Sequence, residues 1–350
     1  MRVAVYYNNN DIRIEERPIP KISGGELLVK VAASGICGSD VMEWYRIKKA
    51  PLVLGHEIAG EIAEAGDGVA RSLFKSYRDR YKKGDRVFVS HHVPCNTCRY
   101  CLNGNHSVCD TLRKTNFDPG GFSEYIRVPE INVDRGVFLL PDTVSFEEGS
   151  FIEPLACVLR GLKKSNMREG QRVLIIGSGI SGLLFVQMSL ALGAGRIIAA
   201  DINDYRLKAA VRFGADAIIN AKEDVPSKLR QVNDGLLADL VVICTGAPAA
   251  IAQALQSVDR GGTVLFFAPA EPGVNIQIPL WDIWRNGIMM TTSYAGAPSD
   301  IAAAIEMLAA RRLNVTDMIT HRLNLTETGL GFQLVARAQD SIKVIIEPNK

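Results

Sequence analysis

Residues 172–201 constrain this 350-residue chain more than any other segment. The apolar run VLII closes on Gly177-Ser178-Gly179-Ile180-Ser181-Gly182, an amphipathic stretch follows, and the next apolar run, RIIAAD, ends on Asp201, nineteen residues beyond Gly182. Three glycines alone would be weak evidence. Strand, glycine loop, helix, strand and terminal acid in that order make a dinucleotide-binding unit. Gly177 permits the tight turn, Gly179 lets the backbone approach a pyrophosphate, and Gly182 allows the helix to pack closely on the strand. Helix-terminal N–H groups then face the phosphates. Asp201 is expected to accept hydrogen bonds from the adenosine ribose and to repel a 2′-phosphate, which favours NAD over NADP.

The surrounding pattern extends this unit into a domain. Beyond Glu153, apolar strands expected at 172–177, 196–201, 217–220, 240–245, 263–268 and 288–294 alternate with helices at 180–192, 205–213, 248–258 and 299–310, the signature of a parallel sheet covered on both faces. The first 150 residues read instead as short strands (2–7, 12–16, 26–33, 57–63, 85–90, 125–128) separated by turn formers. From about Leu313 short segments return, and 341–347 is a strand-like run able to rejoin the first domain. The expected architecture is α/β: a Rossmann doubly wound sheet at 153–296 inserted into a β-rich domain made of 1–152 and 297–350.

Composition sets outer bounds. A length of 350 against ~150 per domain gives about two domains, and 47% hydrophobic with 22% charged residues is an ordinary globular mixture. Forty basic against thirty-eight acidic residues leave +2, so no cationic field attracts nucleic acid or anionic lipid. The start, MRVAVYYNNNDIRIEERP, has no apolar signal core, and apolar runs stop well short of ~18 residues. A soluble, cytoplasmic protein is expected. The basic run 71–83 (RSLFKSYRDRYKK) reads as a solvated loop or short helix.

Four of the seven cysteines fall within fifteen residues. Cys95, Cys98, Cys101 and Cys109 form C-x2-C-x2-C-x7-C among turn formers, and four thiolates around one Zn²⁺ leave no open position, so this ion would be structural, in a lobe at 90–112. An iron–sulfur cluster is the chemical competitor, but the Cys-Pro ending of the ferredoxin run is missing. Cys37 in GICGSD and His56-Glu57 in LGHEIAGEIAEAG offer a thiolate, an imidazole and a carboxylate outside that cluster. With water in the remaining position such a set makes a catalytic zinc site.

Taken together and in order, GICGSD, GHE, GDRV at 84–87, the cysteine lobe, GGFSEY at 120–125, EPLAC at 153–157, GSGISG and SIKVII resemble the zinc-dependent medium-chain dehydrogenases/reductases of the alcohol dehydrogenase superfamily, in the branch of polyol and threonine dehydrogenases. The resemblance spans essentially the whole chain and implies a GroES-like catalytic domain, two zinc ions per chain, NAD, and a homo-oligomer, dimer or tetramer. It implies that Cys37 and His56 bind the catalytic zinc, completed by either Glu57 or Glu153. Asp40 would orient His56, Ser39 would take the alcohol proton, and Lys343 would reach the cofactor pyrophosphate; Ile180 and Arg206 join the expected cofactor contacts. The implied reaction is oxidation of a secondary alcohol to a ketone, with hydride passing to NAD.

Two departures stand out. Met42 occupies the place of a relay histidine, so the proton is expected to leave through solvent or by way of His91 or His92. TTSYAGAP at 291–298 lacks the arginine that polyol members carry beside the substrate. Trp44, Tyr45 and Phe122 are candidate pocket residues. The rival readings are a threonine-type amino alcohol dehydrogenase, a cyclitol or sugar-phosphate dehydrogenase, and, from another class, a non-catalytic NAD-binding sensor or structural subunit.

Overall fold

The computed structural model describes residues 1–69 and 81–350. The basic run expected at 71–83 therefore lies outside the described residues up to residue 80. Its last part begins with Tyr81, whose buried hydroxyl donates to the Val137 carbonyl at 2.7 Å.

Two compact units emerge: 1–156 with 295–311 and 315–350, and 157–294 with 312–314. The first opens with β1 (Arg2–Asn8), β2 (Asp11–Glu16), β3 (Leu27–Gly35), β4 (Leu52–Val53), β5 (Glu57–Ala65), β6 (Arg86–Val89), β7 (Tyr125–Val128) and β8 (Val137–Leu139). The second carries β9 (Arg172–Ile176), β10 (Arg196–Asp201), β11 (Ala217–Asn220), β12 (Ala238–Ile243), β13 (Val258–Phe266) and β14 (Met289–Thr292). The chain then returns to the first unit with β15 (Ile319–Asn324) and β16 (Lys343–Glu347).

In the first unit β1 pairs with β2 and β4, while the larger sheet runs β15-β16-β3-β5-β6-β8 with β7 also on β3. Alternate residues of its strands, Leu27, Val29 and Val31 with Ile58, Ile62, Val87, Val89, Ile126 and Val128, close one core, as a half-buried antiparallel sheet requires. The 341–347 run joins this sheet as β16, antiparallel to β3 through Ile345–Gly35 and Ile346–Ser34. All five residues of β16 are buried, Lys343 included. The strands β4 and β8, of two and three residues, carry too few residues for a periodic signal and were not expected from sequence, nor was the six-residue β15.

The second unit is a six-stranded, all-parallel sheet in the order β11-β10-β9-β12-β13-β14. Numbered within the unit this is 3-2-1-4-5-6, the dinucleotide-binding order, whose switch point lies between β9 and β12. The strands are buried almost end to end because helices cover both faces. Helix Ile180–Ala191 is apolar nearly all round, with eight of its twelve residues buried. Among the described residues no helix is long and apolar enough to cross a membrane.

Candidate active site and metal centres

The cysteine lobe is built from two short helices, Arg99–Leu102 and Asp110–Lys114, joined by a 3-10 turn at His106–Val108. Asn96 and Gly104 take positive φ and let the chain fold back on itself. A tetrahedron of ~2.3 Å Zn–S bonds has edges of ~3.8 Å. The Cys95 and Cys101 sulfurs are 3.9 Å apart, those of Cys98 and Cys101 3.6 Å, and all four thiols lie within 4.8 Å of one another. Their protonation is split: Thr97 N–H and hydroxyl contacts pull the Cys95 thiol down to about 5, whereas burial pushes Cys101 up to about 12. Four sulfurs this close cannot all be thiolates without a cation, and a closed Zn²⁺ fits them.

The second donor set forms where β3 runs out and β5 begins. Cys37 follows β3, His56 immediately precedes β5, and Glu57 is its first residue. Because His56 lies outside the strand, the two neighbours escape the alternation that would send them to opposite faces. Their ligand atoms and the Cys37 sulfur lie within 4.8 Å of one another. Glu153, the other carboxylate expected there, is not in this set; it sits in the first turn of helix Ile152–Lys164 and lines a small recess with Ser90, His91, His92, Ala156 and Gly296.

Asp40 is fully buried; it accepts from the Cys37 N–H at 3.1 Å and lies 3.3 Å from His56 Nδ1. That contact leaves the other ring nitrogen as the ligand atom. Burial alone would lower the His56 pKa, but the Asp40 carboxylate and Cys37 outweigh it, and the imidazole stands well above its ordinary value. The set is therefore electron-rich enough to hold a positive charge, a proton or a metal ion. Thiolate, imidazole and carboxylate with one free position are the donors of an open zinc site.

Lys343 requires a correction. It was expected at the cofactor pyrophosphate, but its side chain is 0% exposed and its ammonium is ion-paired with Glu57, itself 1% exposed. The physical reason is the register of β16, which places Lys343 inside the sheet against the end of β3 and β5, where its charge is spent on a buried carboxylate. Phe122 is also core rather than pocket, packed edge-on to Phe332 at 5.7 Å. Trp44 is half-buried and Tyr45 exposed.

Sequence reasoning missed Arg46. It ends the short helix Glu43–Arg46 and folds back on Ser39, donating from Nε to the Ser39 carbonyl at 2.9 Å and from Nη2 to Ser39 Oγ at 3.1 Å. Ser39 Oγ in turn lies 3.4 Å from the Cys37 sulfur. The available signal was the run Tyr45-Arg46-Ile47-Lys48-Lys49, basic residues around an aromatic soon after GICGSD. His91 and His92 stand beside this set, His91 4.8 Å from His56 and 3.8 Å from His92 between ring centroids. Burial pushes His91 well below its ordinary value and His92 down to about 4, with positive neighbours adding to the shift, so both are neutral at pH 7.

In the second unit the glycine loop is formed as expected. Gly177 sits at φ +95°, and a Cβ on Gly182 would collide with the Gly177 carbonyl. Ile180 is the first residue of the helix that Gly179 caps. Asp201 accepts from Ser178 N–H at 2.7 Å and Asn203 N–H at 2.9 Å, one bond to each oxygen. A carboxylate has about four acceptor sites, so capacity for a ribose is left. Arg206 reaches over Gly179, and its buried Nε has no partner among the described residues. A helix N-terminus with a nearby guanidinium fits a pyrophosphate.

Comparison with known proteins agrees with both halves. Residues 23–142 match the alcohol dehydrogenase GroES-like domain and residues 181–310 the zinc-binding dehydrogenase domain. The chain is 32% identical to the sorbitol dehydrogenase of Bacillus subtilis (strain 168), covering 100% of this chain and 98% of that one. It is 34% identical to the L-threonine 3-dehydrogenase of Bacillus velezensis, covering 99% and 98%. The solved structure of an alcohol dehydrogenase from Escherichia coli CFT073 complexed with NADH superposes with a TM-score of 0.87 over 99% of both chains, at 26% identity.

Proposed function

We propose, for a chain that belongs to the zinc-dependent medium-chain dehydrogenase/reductase family, the reversible oxidation of a secondary alcohol of the polyol or cyclitol class to a ketone, with NAD as hydride acceptor. As a family member it is an oxidoreductase acting on CH–OH donors and using zinc and a nicotinamide cofactor. The observation that carries the finer reading is the convergence of Cys37, His56 and Glu57 beside Ser39, an open donor set next to a hydroxyl.

Bound at that set, zinc supplies Lewis acidity toward the alcohol oxygen, and the nicotinamide carries the redox chemistry. Glu57 completes the ligands and Asp40 keeps His56 oriented. Ser39 Oγ receives the proton of the substrate hydroxyl while passing its own to water, since Met42 offers no base. Arg46 holds that oxygen but, as a guanidinium, cannot accept the proton. The negative charge of Asp201 at the end of β10 supports NAD over NADP, and Arg206 supports a pyrophosphate over the glycine loop. Seven cysteines without a disulfide support a reducing, cytoplasmic setting.

The test is NADH absorbance on adding polyols, cyclitols and amino alcohols to zinc-loaded protein, with and without chelator. Chelator-sensitive turnover with kcat/KM higher for NAD than for NADP is expected. A higher value with NADP would remove Asp201 from the ribose, and binding of NAD without turnover of any alcohol would leave a sensor or structural subunit.

A homodimer is the proposed assembly. Trp281 and Trp284 are 69% and 68% exposed, their rings 5.4 Å apart on helix Leu280–Asn286, close in sequence to the edge strand β14. Exposed tryptophans on one short helix suit a second copy. Sedimentation velocity should give a dimer for the parent and a monomer for Trp281→Glu with Trp284→Glu; a parent monomer would refute the assembly.

A further inference from the structure

Residues 43–49 (EWYRIKK), which bring Arg46 onto Ser39, carry three basic side chains against one acid, Glu43. Arg46 is 14% exposed; its Nε and Nη2 are committed to Ser39 and, at 3.4 Å, to Asp40, while Nη1 has no partner among the described residues and is not sealed from solvent. Its guanidinium carbon lies 4.7 Å from the centre of the Tyr45 ring, and Lys49 Nζ lies 5.5 Å from the same ring. The guanidinium of Arg46 and the ammonium of Lys49 thus both stand at the ring of the exposed Tyr45. Lys48 and Lys49 are exposed and have no acidic partner among the described residues. The field of Arg46 and Lys49 reaches inward, since both depress the basicity of His92. Asp40, the carboxylate nearest to Arg46, is already shared with His56.

We infer that the substrate carries an oxyanion, a phosphate ester or a carboxylate, a few bonds from the carbinol carbon, held by Arg46 Nη1 and Lys49 while Ser39 faces the reacting hydroxyl. This rests on the alcohol-oxidation reading above and names its substrate class. A planar guanidinium with one free N–H edge and a lysine beside it recognise either oxyanion by charge-assisted hydrogen bonds. Because Arg46 also touches Ser39, the anion and the reacting hydroxyl are measured against each other by one side chain, which selects the distance between them as well as the charge. Arg46 is thus both the inner half of the anion site and a positioning residue for Ser39.

The experiment compares each of several polyols as the free compound, its terminal phosphate ester and its aldonate, with zinc-loaded protein and NAD. An anionic form is expected to exceed the neutral polyol in kcat/KM by on the order of 10- to 100-fold, the range of one or two charge-assisted contacts, and mainly through KM. Whether the ester or the aldonate wins identifies the oxyanion. The preference should shrink as salt rises and fall about tenfold in Lys49→Gln, an exposed substitution. Arg46→Lys should retain a preference for the anion while losing kcat, because a single ammonium nitrogen lacks the rigid pair of N–H groups, Nε and Nη2, that fixes the Ser39 carbonyl and Oγ together. A second readout needs no turnover: inorganic phosphate should raise the Tm of the zinc- and NADH-loaded protein, and less so in Lys49→Gln. Neutral polyols used as well as both anionic forms would overturn the inference and leave alcohol oxidation standing. Where no alcohol turns over at all, the alcohol reading fails and the phosphate-dependent Tm decides the anion site by itself, an unchanged Tm overturning it.

Discussion

Metal analysis of protein purified without chelator should return two zinc ions per chain, and Cys98→Ser should return one, with the lobe around it unfolded. The lobe has almost no other means of staying folded. The buried members of its hydrophobic cluster are Cys101, Cys109 and Leu112, and its helices span four and five residues, too short to persist in isolation. A structural Zn²⁺ contributes on the order of 10–16 kcal/mol in comparably small metal modules, far more than burial of one leucine at roughly 1.5–3 kcal/mol. Trypsin should therefore cut Cys98→Ser at Arg99, Arg113 or Lys114 under conditions that leave the parent intact. Cys37→Ser should also cost one zinc, yet it should abolish turnover with protease resistance kept, because β3 and β5 are held by the sheet core and not by the ion. One ion in the parent, or iron, would defeat the assignment, as would a Cys98→Ser lobe that resists trypsin.

Lys343→Met should destabilise the zinc-free protein by about 3–5 kcal/mol, the cost of leaving one partner of a buried ion pair alone. Both groups are sealed from water, Lys343 at 0% and Glu57 at 1% exposure, so water cannot replace the lost partner. With zinc bound the penalty should be smaller, because the ion then offers the Glu57 carboxylate another positive partner. Urea unfolding of parent and variant, each with and without zinc, measures both. Equal stability of the two zinc-free proteins would show that the pair does not carry the charge of Glu57. A penalty that zinc leaves unchanged would argue against Glu57 as a ligand. The contrast also separates Glu57 from Glu153, since only Glu57 is tied to Lys343.

What could be read from the chain alone was local or periodic. The glycine loop, the helix after it and the acid at the end of β10 are successive in sequence, so their spacing carries their geometry. The four thiols are legible for the same reason: fifteen residues with turn formers between them can close around one ion and around little else. Long parallel strands announce themselves because both faces are buried, and they read as unbroken apolar runs. Strands of two or three residues, such as β4 and β8, hold less than one informative period and pass unseen.

Tertiary structure decided which charge meets which. His56 and Glu57 converge with Cys37 because the chain enters β5 only after His56, a detail of where the strand begins that no spacing rule contains. Lys343 reaches Glu57 from 286 positions away because β16 pairs with the end of β3, and its burial turns an expected cofactor contact into a buried ion pair. Arg46 touches Ser39 because a single helical turn folds it back. For Lys343 with Glu57, and for Cys37 with His56 and Glu57, the partners are set by long-range register, whose energy comes from whole strands packing together, so the identity of one side chain's neighbour leaves almost no trace in the residues around it; Arg46 with Ser39, seven residues apart, depends instead on how one local turn folds.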